Sequence, residues 1–373
     1  MEEIVEISCP EKPAAVSGPS ARPRAASRLP QGRIRRGHDR SQMLRRGFQL
    51  GFLLLNVYLG GVFYLWVRQL EGMRPGSLVR PAGVEGWLPI AGLMNFKYWL
   101  ATGRIPTVHP AAMFLLIAFL ATAFLFRKAF CGWLCPIGTF SEYLWRAGRK
   151  LIGRNFHLPH WPDVFLRGLK YLLLGFFAWV ISSMSSWAIE EFMHSPYGII
   201  ADVKMLNFFR HLGEMGLVVL VILAVASLFI QNFWCRYLCP YGALLGLVAM
   251  LSPARIRRND EACIDCAKCT KVCPSALPVH QLITVKSAEC TGCLECVAVC
   301  PAPNALEMSL APWRARRPAR LPAWALAVAI AALFFGIVGY AKATGHWNGA
   351  VPRAVYVELI PQADQARHPM PGY

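Results

Sequence analysis

Five stretches of the chain contain no Asp, Glu, Lys or Arg and are apolar over a length close to that of a membrane span. A helix needs about 20 predominantly apolar residues to cross the hydrocarbon core of a bilayer. The stretches are residues 48–67, 110–126, 171–189, 215–234 and 321–340. They predict a mainly α fold, a polytopic helical membrane bundle of about five spans.

The second and fourth stretches are followed by the same short motif. Residues 130–140 read FCGWLCPIGTF and residues 234–244 read WCRYLCPYGAL, with Cys, Leu, Cys, Pro and Gly in common. Each motif is continued by an apolar-rich segment that is too short to cross a membrane. Two copies in the same orientation predict an internal parallel repeat, in which the first two spans correspond to the third and fourth.

The pattern divides the chain into five parts. They are a disordered basic arm (1–47), a four-span membrane domain (48–251), a small Cys-rich α+β domain (252–311), the fifth span with its approach (312–340) and a tail (341–373). The Cys-rich domain is thus inserted before the last span.

Composition supports a membrane protein, and charge predicts its orientation. Apolar residues make up 55% of the chain and charged residues 16%, yet the formal net charge is +18. With the N-terminus in the cytoplasm, 29 of the 39 Lys and Arg residues fall on the cytoplasmic side. The positive-inside rule therefore predicts a multi-pass protein of the inner (cytoplasmic) membrane, with the Cys-rich domain in the cytoplasm and the C-terminus in the periplasm.

The basic arm at the N-terminus has two possible binding partners. Its arginines could bind nucleic acid or the anionic headgroups of membrane lipid. The arm lacks interleaved aromatic residues and adjoins a predicted span. We therefore expect it to contact lipid and predict no nucleic-acid partner.

Eight of the 13 cysteines form two runs with identical spacing, C-x2-C-x2-C-x3-C-P, at residues 263–274 and 290–301. This is the pattern of a two-cluster ferredoxin, in which the fourth Cys of each run ligates the other [4Fe–4S] cluster. Zinc sites usually pair two short motifs, and disulfides are rare in the cytoplasm, so both alternatives are weaker. The predicted iron ligands are Cys263, Cys266, Cys269 and Cys300 (cluster site 1) and Cys290, Cys293, Cys296 and Cys273 (cluster site 2).

Four further cysteines form two Cys-x3-Cys-Pro pairs at the inner ends of the second and fourth spans. These membrane cysteines are Cys131, Cys135, Cys235 and Cys239. An i,i+4 spacing would place both sulfurs of a pair on one helical face. The four are candidates for an additional redox or metal site, as one four-thiolate centre or as redox dithiols. The alternative is that they are small buried hydrophobic residues.

With these motifs, the sequence resembles the polyferredoxin family of membrane iron–sulfur proteins (NapH, NosR and CcoG type) over roughly residues 48–308. The resemblance implies electron transfer through two [4Fe–4S] clusters, linking a quinol pool or a cytoplasmic reductant to a periplasmic redox enzyme. It also implies an electron-transfer subunit rather than a stand-alone enzyme, a redox partner protein at the periplasmic or cytoplasmic face, and quinone as a further candidate cofactor. The alternative is a redox or metal-handling maturation or regulatory factor for a respiratory metalloenzyme.

Other cofactors and catalytic groups have little support in the sequence. No Cys-x2-Cys-His motif occurs and no His lies inside a predicted span, so haem is not expected. We predict no catalytic residue. An outer loop with Glu190, Glu191 and His194 is a candidate for releasing quinol protons, although such loops are more often simply solvated.

Overall fold

The computed structural model of the chain describes residues 41–72, 76–153, 155–156, 158–310 and 319–369. Most of the predicted basic arm and the segment 311–318 lie outside these ranges. The described part is mainly helical and carries one small three-stranded sheet. The predicted fold class, a helical membrane protein with a small α+β domain, is therefore confirmed.

The described residues form α-helices along most of their length. In chain order these are α1 (Ser41–Glu71), α2 (Pro89–Thr102), α3 (Pro110–Phe126), α4 (Ala129–Trp133), α5 (Pro136–Ile152), α6 (His160–Ser183), α7 (Ser186–His194), α8 (Pro196–Ile199), α9 (Ala201–Arg210), α10 (Glu214–Phe229), α11 (Pro240–Met250), α12 (Lys268–Lys271), α13 (Glu295–Ala298), α14 (Ala323–Ala343) and α15 (Arg353–Leu359). Short 3₁₀ turns occur at Ala82–Trp87, Val279–Gln281 and Ala363–Gln365, and a π-helical turn at Trp234–Leu238.

Three of these helices, α1, α6 and α14, are long and apolar enough to cross a membrane. Helices α9 and α10 meet at a bend of 83° and form a fourth candidate if the pair is one broken span. Helices α3 and α11 are apolar but shorter. The number of spans in the bilayer, predicted as about five, stays a prediction.

Helix α3 lies at the centre of the bundle. It has no polar face, which is typical of a helix covered on all sides. It packs against α2, α11 and α14, and most of its side chains are buried. Pro110 occupies its first turn, where a missing N–H costs nothing. The helix has the bounds predicted from the sequence, because it begins and ends at the same residues as the apolar stretch 110–126.

Other helices differ from the predicted stretches. Helix α1 begins at Ser41, seven residues before the predicted span, so the last part of the predicted disordered arm is helical. Helix α6 ends at Ser183, and the Ser185 hydroxyl then accepts a hydrogen bond from Ala188 N at 3.1 Å as the N-cap of α7. The predicted third span therefore runs over a helix break, because a capping serine stops one helix and starts the next.

The Cys-rich domain is closed by its sheet. Strands β1 (Ala254–Arg258) and β2 (Leu306–Leu310) pair antiparallel on either side of the two cysteine runs, and β3 (Ala319–Arg320) pairs with the outer edge of β2. The pairing joins the two ends of the domain before the chain enters α14. The short helices α12 and α13 each carry the third cysteine of one run.

Candidate functional site

The two cysteine runs fold into the same tight loop. The residues that flank the second cysteine of each run have positive φ: Asp265 (52°) and Ala267 (55°) in the first run, Gly292 (61°) and Leu294 (60°) in the second. Positive φ is uncommon outside glycine and costs energy, so its repetition at equivalent positions indicates a functional constraint. Such backbone turns form the concave nests that surround many iron–sulfur sites.

Cluster site 1 is assembled from both runs. Cys263, Cys266 and Cys269 of the first run and Cys300 of the second line one small cavity. The Arg258 guanidinium lies beside Cys263. All four cysteines are partly exposed, so this cavity lies near the surface of the domain.

Cluster site 2 is assembled in the complementary way. Cys290, Cys293 and Cys296 of the second run and Cys273 of the first line a separate small cavity. Cys290 and Cys296 are buried. The structure thus brings the eight thiols together in the two groups that the crossed ferredoxin pattern predicts. Among the described residues, no group of three or more His, Cys, Asp or Glu is placed to hold a single metal ion.

The two cluster sites are neighbours. Cys269 of site 1 lies close enough to Cys296 of site 2 for their charges to interact. The third cysteines of the two runs thus lie between the sites, on helices α12 and α13, which pack against each other.

The membrane cysteines have a local geometry that differs from the single helical face predicted from their spacing. A helix breaks inside each pair: Cys135 is the N-cap of α5 and Cys239 is the N-cap of α11, both with extended backbone. The following prolines exclude the helical conformation from these positions. Each second cysteine donates its N–H to the carbonyl five residues earlier, over 2.9 Å from Cys135 to Phe130 and 3.0 Å from Cys239 to Trp234. The two motifs therefore repeat one turn rather than one helical face.

The two pairs converge in space. Cys131 lies near Cys135 and Cys239, and Cys235 lies near all three others. Burial raises the pKa of each of the four thiols, that of Cys135 to about 11. The ammonium group of Lys128 lies close enough to Cys131 to oppose this effect. At neutral pH the unliganded thiols are therefore protonated, and binding of a metal or cluster would release their protons.

The membrane cysteines lie against cluster site 2. A Cβ atom at Gly132, beside Cys131, would lie 2.9 Å from the carbonyl oxygen of Thr291, so only glycine allows this approach. The indole Nε1 of Trp133 donates a hydrogen bond to the carbonyl of Gly292 at 3.1 Å. The loop of the second run is thus packed directly on the first Cys-x3-Cys-Pro turn.

A large cavity of about 1120 Å³ extends along α3 from these cysteines toward the opposite end of the bundle. Apolar side chains, including Leu115, Phe119, Leu223 and Phe334, line most of it. At one end it is lined by the membrane cysteines and by residues that also line cluster site 2. Those shared residues are Pro274, Ser275, Thr291 and Cys293.

Several groups of buried polar residues lie at these sites or along the cavity, and no sequence motif marks the three described here. The first joins α1 to the Cys-rich domain: Arg45, 1% exposed, donates to Glu142 at 2.7 Å and to Glu295 at 2.8 Å. In the second, at the cavity, Glu289 pairs with Lys170 and lies 3.6 Å from Lys128. Burial would raise the pKa of Glu289, but the two lysines outweigh burial and lower it.

The third polar group lies near the start of α3, far from the cysteines along the bundle. Arg80 donates to Glu85 at 2.7 Å and to Asp202 at 2.8 Å, and its Nη2 lies 3.0 Å from His109 Nδ1. His109 Nε2 donates to the carbonyl of Gly198 at 2.9 Å, and its Nδ1 also lies 3.2 Å from Glu85 Oε1. The sequence offers one local signal for this group: His109 directly precedes the apolar stretch 110–126.

The outer residues singled out from the sequence do not line the cavity. Glu190 and Glu191 are exposed, and His194 Nε2 lies 3.0 Å from the hydroxyl of Thr107. None of the three is among the residues around the cavity. Arg80, whose side chain is 10% exposed, lines the cavity at that end.

Comparison with known proteins bears on what these sites hold. A family model described as "4Fe-4S binding domain" matches residues 108–155, and one described as "4Fe-4S dicluster domain" matches residues 234–308. The protein YccM of Escherichia coli (strain K12), named for a proposed role in electron transport, is 51% identical over 87% of this chain and 91% of its own length. The chain belongs to the polyferredoxin-type family of membrane electron-transport proteins.

Other relatives in this family are more distant. The ferredoxin-type protein NapH of Haemophilus influenzae is 30% identical over 62% of this chain and 74% of its own length. The regulatory protein NosR of Pseudomonas aeruginosa is 28% identical over 61% of this chain but only 34% of its own length. No solved structure matches. The resemblance predicted from the cysteine motifs is confirmed, as are electron transport through 4Fe–4S domains and a membrane protein.

Proposed function

We propose that the chain carries single electrons through two [4Fe–4S] clusters, one at cluster site 1 and one at cluster site 2. The observation that supports this most directly is that each small cavity is lined by three thiols of one run and the fourth thiol of the other. Four thiolates suit a cubane, and burial together with hydrogen bonds to sulfur sets its potential. On this proposal the protein is an electron-transfer subunit and has no catalytic residue.

The two cluster sites have different surroundings, and the difference suggests which site exchanges electrons with the membrane domain and which with a partner protein. Cluster site 2 has two buried thiols, Cys290 and Cys296, and shares part of its lining with the large cavity. Cluster site 1 is partly exposed, and Ile264 in its lining is 44% exposed. We propose that site 2 exchanges electrons inside the membrane domain and that site 1 exchanges them with a redox partner protein.

The large cavity is a candidate quinone site. Its apolar walls suit an isoprenoid chain, its volume is near the upper end for ligand pockets, and a few polar groups converge at the end beside cluster site 2. Lys128 and Glu289 line that end, where the Lys128 ammonium can donate to a quinone oxygen and the Glu289 carboxylate can accept from a quinol hydroxyl. A bound quinol supplies two electrons and two protons, and the clusters accept its electrons one at a time.

The proposal includes the membrane orientation predicted from charge. The N-terminus and the two-cluster domain lie on the cytoplasmic side of the inner membrane, and the C-terminal tail lies in the periplasm. In this orientation the partner protein at cluster site 1 is a cytoplasmic reductant, and a quinol is the alternative electron donor. The expected acceptor, a periplasmic redox enzyme, would contact the opposite face of the membrane domain.

A substitution in the cavity wall tests the quinone site. We expect Ala224→Trp, which places an indole from α10 in the cavity, to weaken reduction of the clusters by quinol roughly tenfold, about 1.4 kcal/mol of binding free energy, because the indole and the quinol compete for the same space. Val225→Trp is the matched control, because Val225 follows directly on the same helix and is 44% exposed. The measurement is bleaching of cluster absorbance after anaerobic mixing with ubiquinol or menaquinol.

Equal reduction of both variants at the unmodified rate would contradict a quinone site in this cavity. Failure of both quinols to reduce the unmodified protein would do the same. Reduction by dithionite in each variant shows that the clusters are present and intact.

A redox or metal-handling maturation or regulatory role is the second candidate function. It is favoured by the convergence of the membrane cysteines at the cavity, and the relative NosR is named a regulatory protein. In that case quinol leaves the clusters oxidised, and the membrane cysteines act as two redox dithiols.

A further inference from the structure

We propose that the four membrane cysteines together bind a third iron–sulfur cluster, to which each copy of the repeated motif contributes two thiolates. This goes beyond the two-cluster function proposed above, because it assigns a separate site and does not depend on a quinol. One cluster would then lie in the membrane domain and two in the Cys-rich domain.

The first support is a mismatch between one matched segment and its cysteines. Residues 108–155 match a model described as a 4Fe-4S binding domain, yet they contain only Cys131 and Cys135. A cubane needs four ligands, so this segment cannot complete one. The structure provides two more thiols, since Cys235 and Cys239 of the second motif lie beside the first pair.

The second support is the environment of the sulfur atoms. Cys135 Sγ accepts a hydrogen bond from Gly138 N at 3.5 Å, and Cys239 Sγ accepts one from Gly242 N at 3.2 Å. Both sulfurs cap the N-termini of helices, α5 and α11, where the helix dipole favours negative charge. The cation of Lys128 is buried nearby. These features offset part of the cost of burying the net negative charge of a four-thiolate cluster.

The third support is position. The four thiols line the end of the large cavity that also reaches cluster site 2, and Trp133 bonds directly to the loop of that site. A cluster here exchanges one electron with the cluster at site 2. One cluster is oxidised as the other is reduced, with no bond made or broken and no proton transferred. The third cluster thus connects the cavity to the Cys-rich domain.

Counting iron tests this proposal. The full chain, purified anaerobically, is expected to contain about twelve irons and about twelve acid-labile sulfides, four of each per cubane. Replacing Cys131 and Cys235 together by Ser removes one ligand from each pair and is expected to lower both counts to about eight. Cys9→Ser is the control, because it removes the one cysteine that belongs to neither motif type, and it should leave both counts unchanged.

The iron count of the unmodified protein tests the third cluster even if a variant fails to fold. About eight irons, or about eight irons with one bound zinc or copper ion, would overturn the third cluster. In the double variant, unchanged EPR signals from cluster sites 1 and 2 identify a specific loss. Because no quinol is used, failure of the quinone site and failure of the third cluster are separate results.

Discussion

Replacing Cys269 and Cys273 together by Ser is expected to remove both clusters of the Cys-rich domain, a loss of about eight irons. These residues belong to the same run but line different cavities. Each cavity therefore loses one of its four thiols. Replacing Cys273 and Cys290, which line the same cavity, is expected to cost only about four irons. Iron and acid-labile sulfide are counted against the unmodified protein.

The two double variants form a matched pair, because each removes two thiols and both include Cys273. Ligation within each run would reverse the result: the first pair would cost about four irons and the second about eight. That reversed order would contradict the crossed arrangement while leaving the number of clusters unchanged.

The second large effect is expected on removing the charge of Arg45. Its guanidinium bonds to Glu142, to Glu295 and, at 3.2 Å, to the carbonyl of Gly132. Breaking a buried ion pair costs roughly 3–5 kcal/mol, because a charge is left without its partner. For Arg45→Met we expect the lower part of that range, since Arg146 still pairs with both carboxylates. The measurement is thermal unfolding of the purified protein in detergent.

Arg46→Met is the control for this experiment, because Arg46 is adjacent on the same helix and exposed. It should unfold at the temperature of the unmodified protein. Gln42, on the same turn as Arg45, donates its side-chain N–H to the carbonyl of Cys293 at 2.9 Å. Loss of iron from cluster site 2 should therefore accompany the lower stability of Arg45→Met. Equal stability of the two variants would show that the ion pairs do not hold the domain in place.

The spacing of the eight ferredoxin thiols is local, and the thiols that line each small cavity are grouped as this spacing predicts. Three cysteines with two residues between them must share one loop, and the fourth, three residues later, is directed away from it. The Pro that follows each Cys-x3-Cys pair is also a local signal, and it explains the break between Cys131 and Cys135. The i,i+4 spacing alone predicts one helical face, but the proline after the second cysteine ends the first helix before that residue.

The buried polar contacts could not be predicted in this way. Arg45 and Glu295 are 250 positions apart, and the ion pair forms only because α1 and α13 pack together. From the neighbouring sequence alone, Arg45 is predicted to contact lipid, like the other arginines of the basic arm. In the structure it is 1% exposed and bound to protein, so its environment follows from tertiary packing alone.

Helix ends were predicted well only where composition and capping agree. Pro110–Phe126 has a proline at its start and charged residues immediately after its end. Residues 184–189 are apolar enough to extend a span, but Ser185 caps a new helix there. Hydropathy therefore located the apolar segments and missed the polar side chains that divide them.

A reductive titration of the anaerobically purified full chain tests the central claim most directly. We expect dithionite to deliver about one electron for every four irons, and EPR to show the signals of reduced [4Fe–4S] clusters that interact, since cluster sites 1 and 2 are neighbours. A protein that contains zinc in place of iron, or iron that accepts no electrons, would contradict an electron-transfer function.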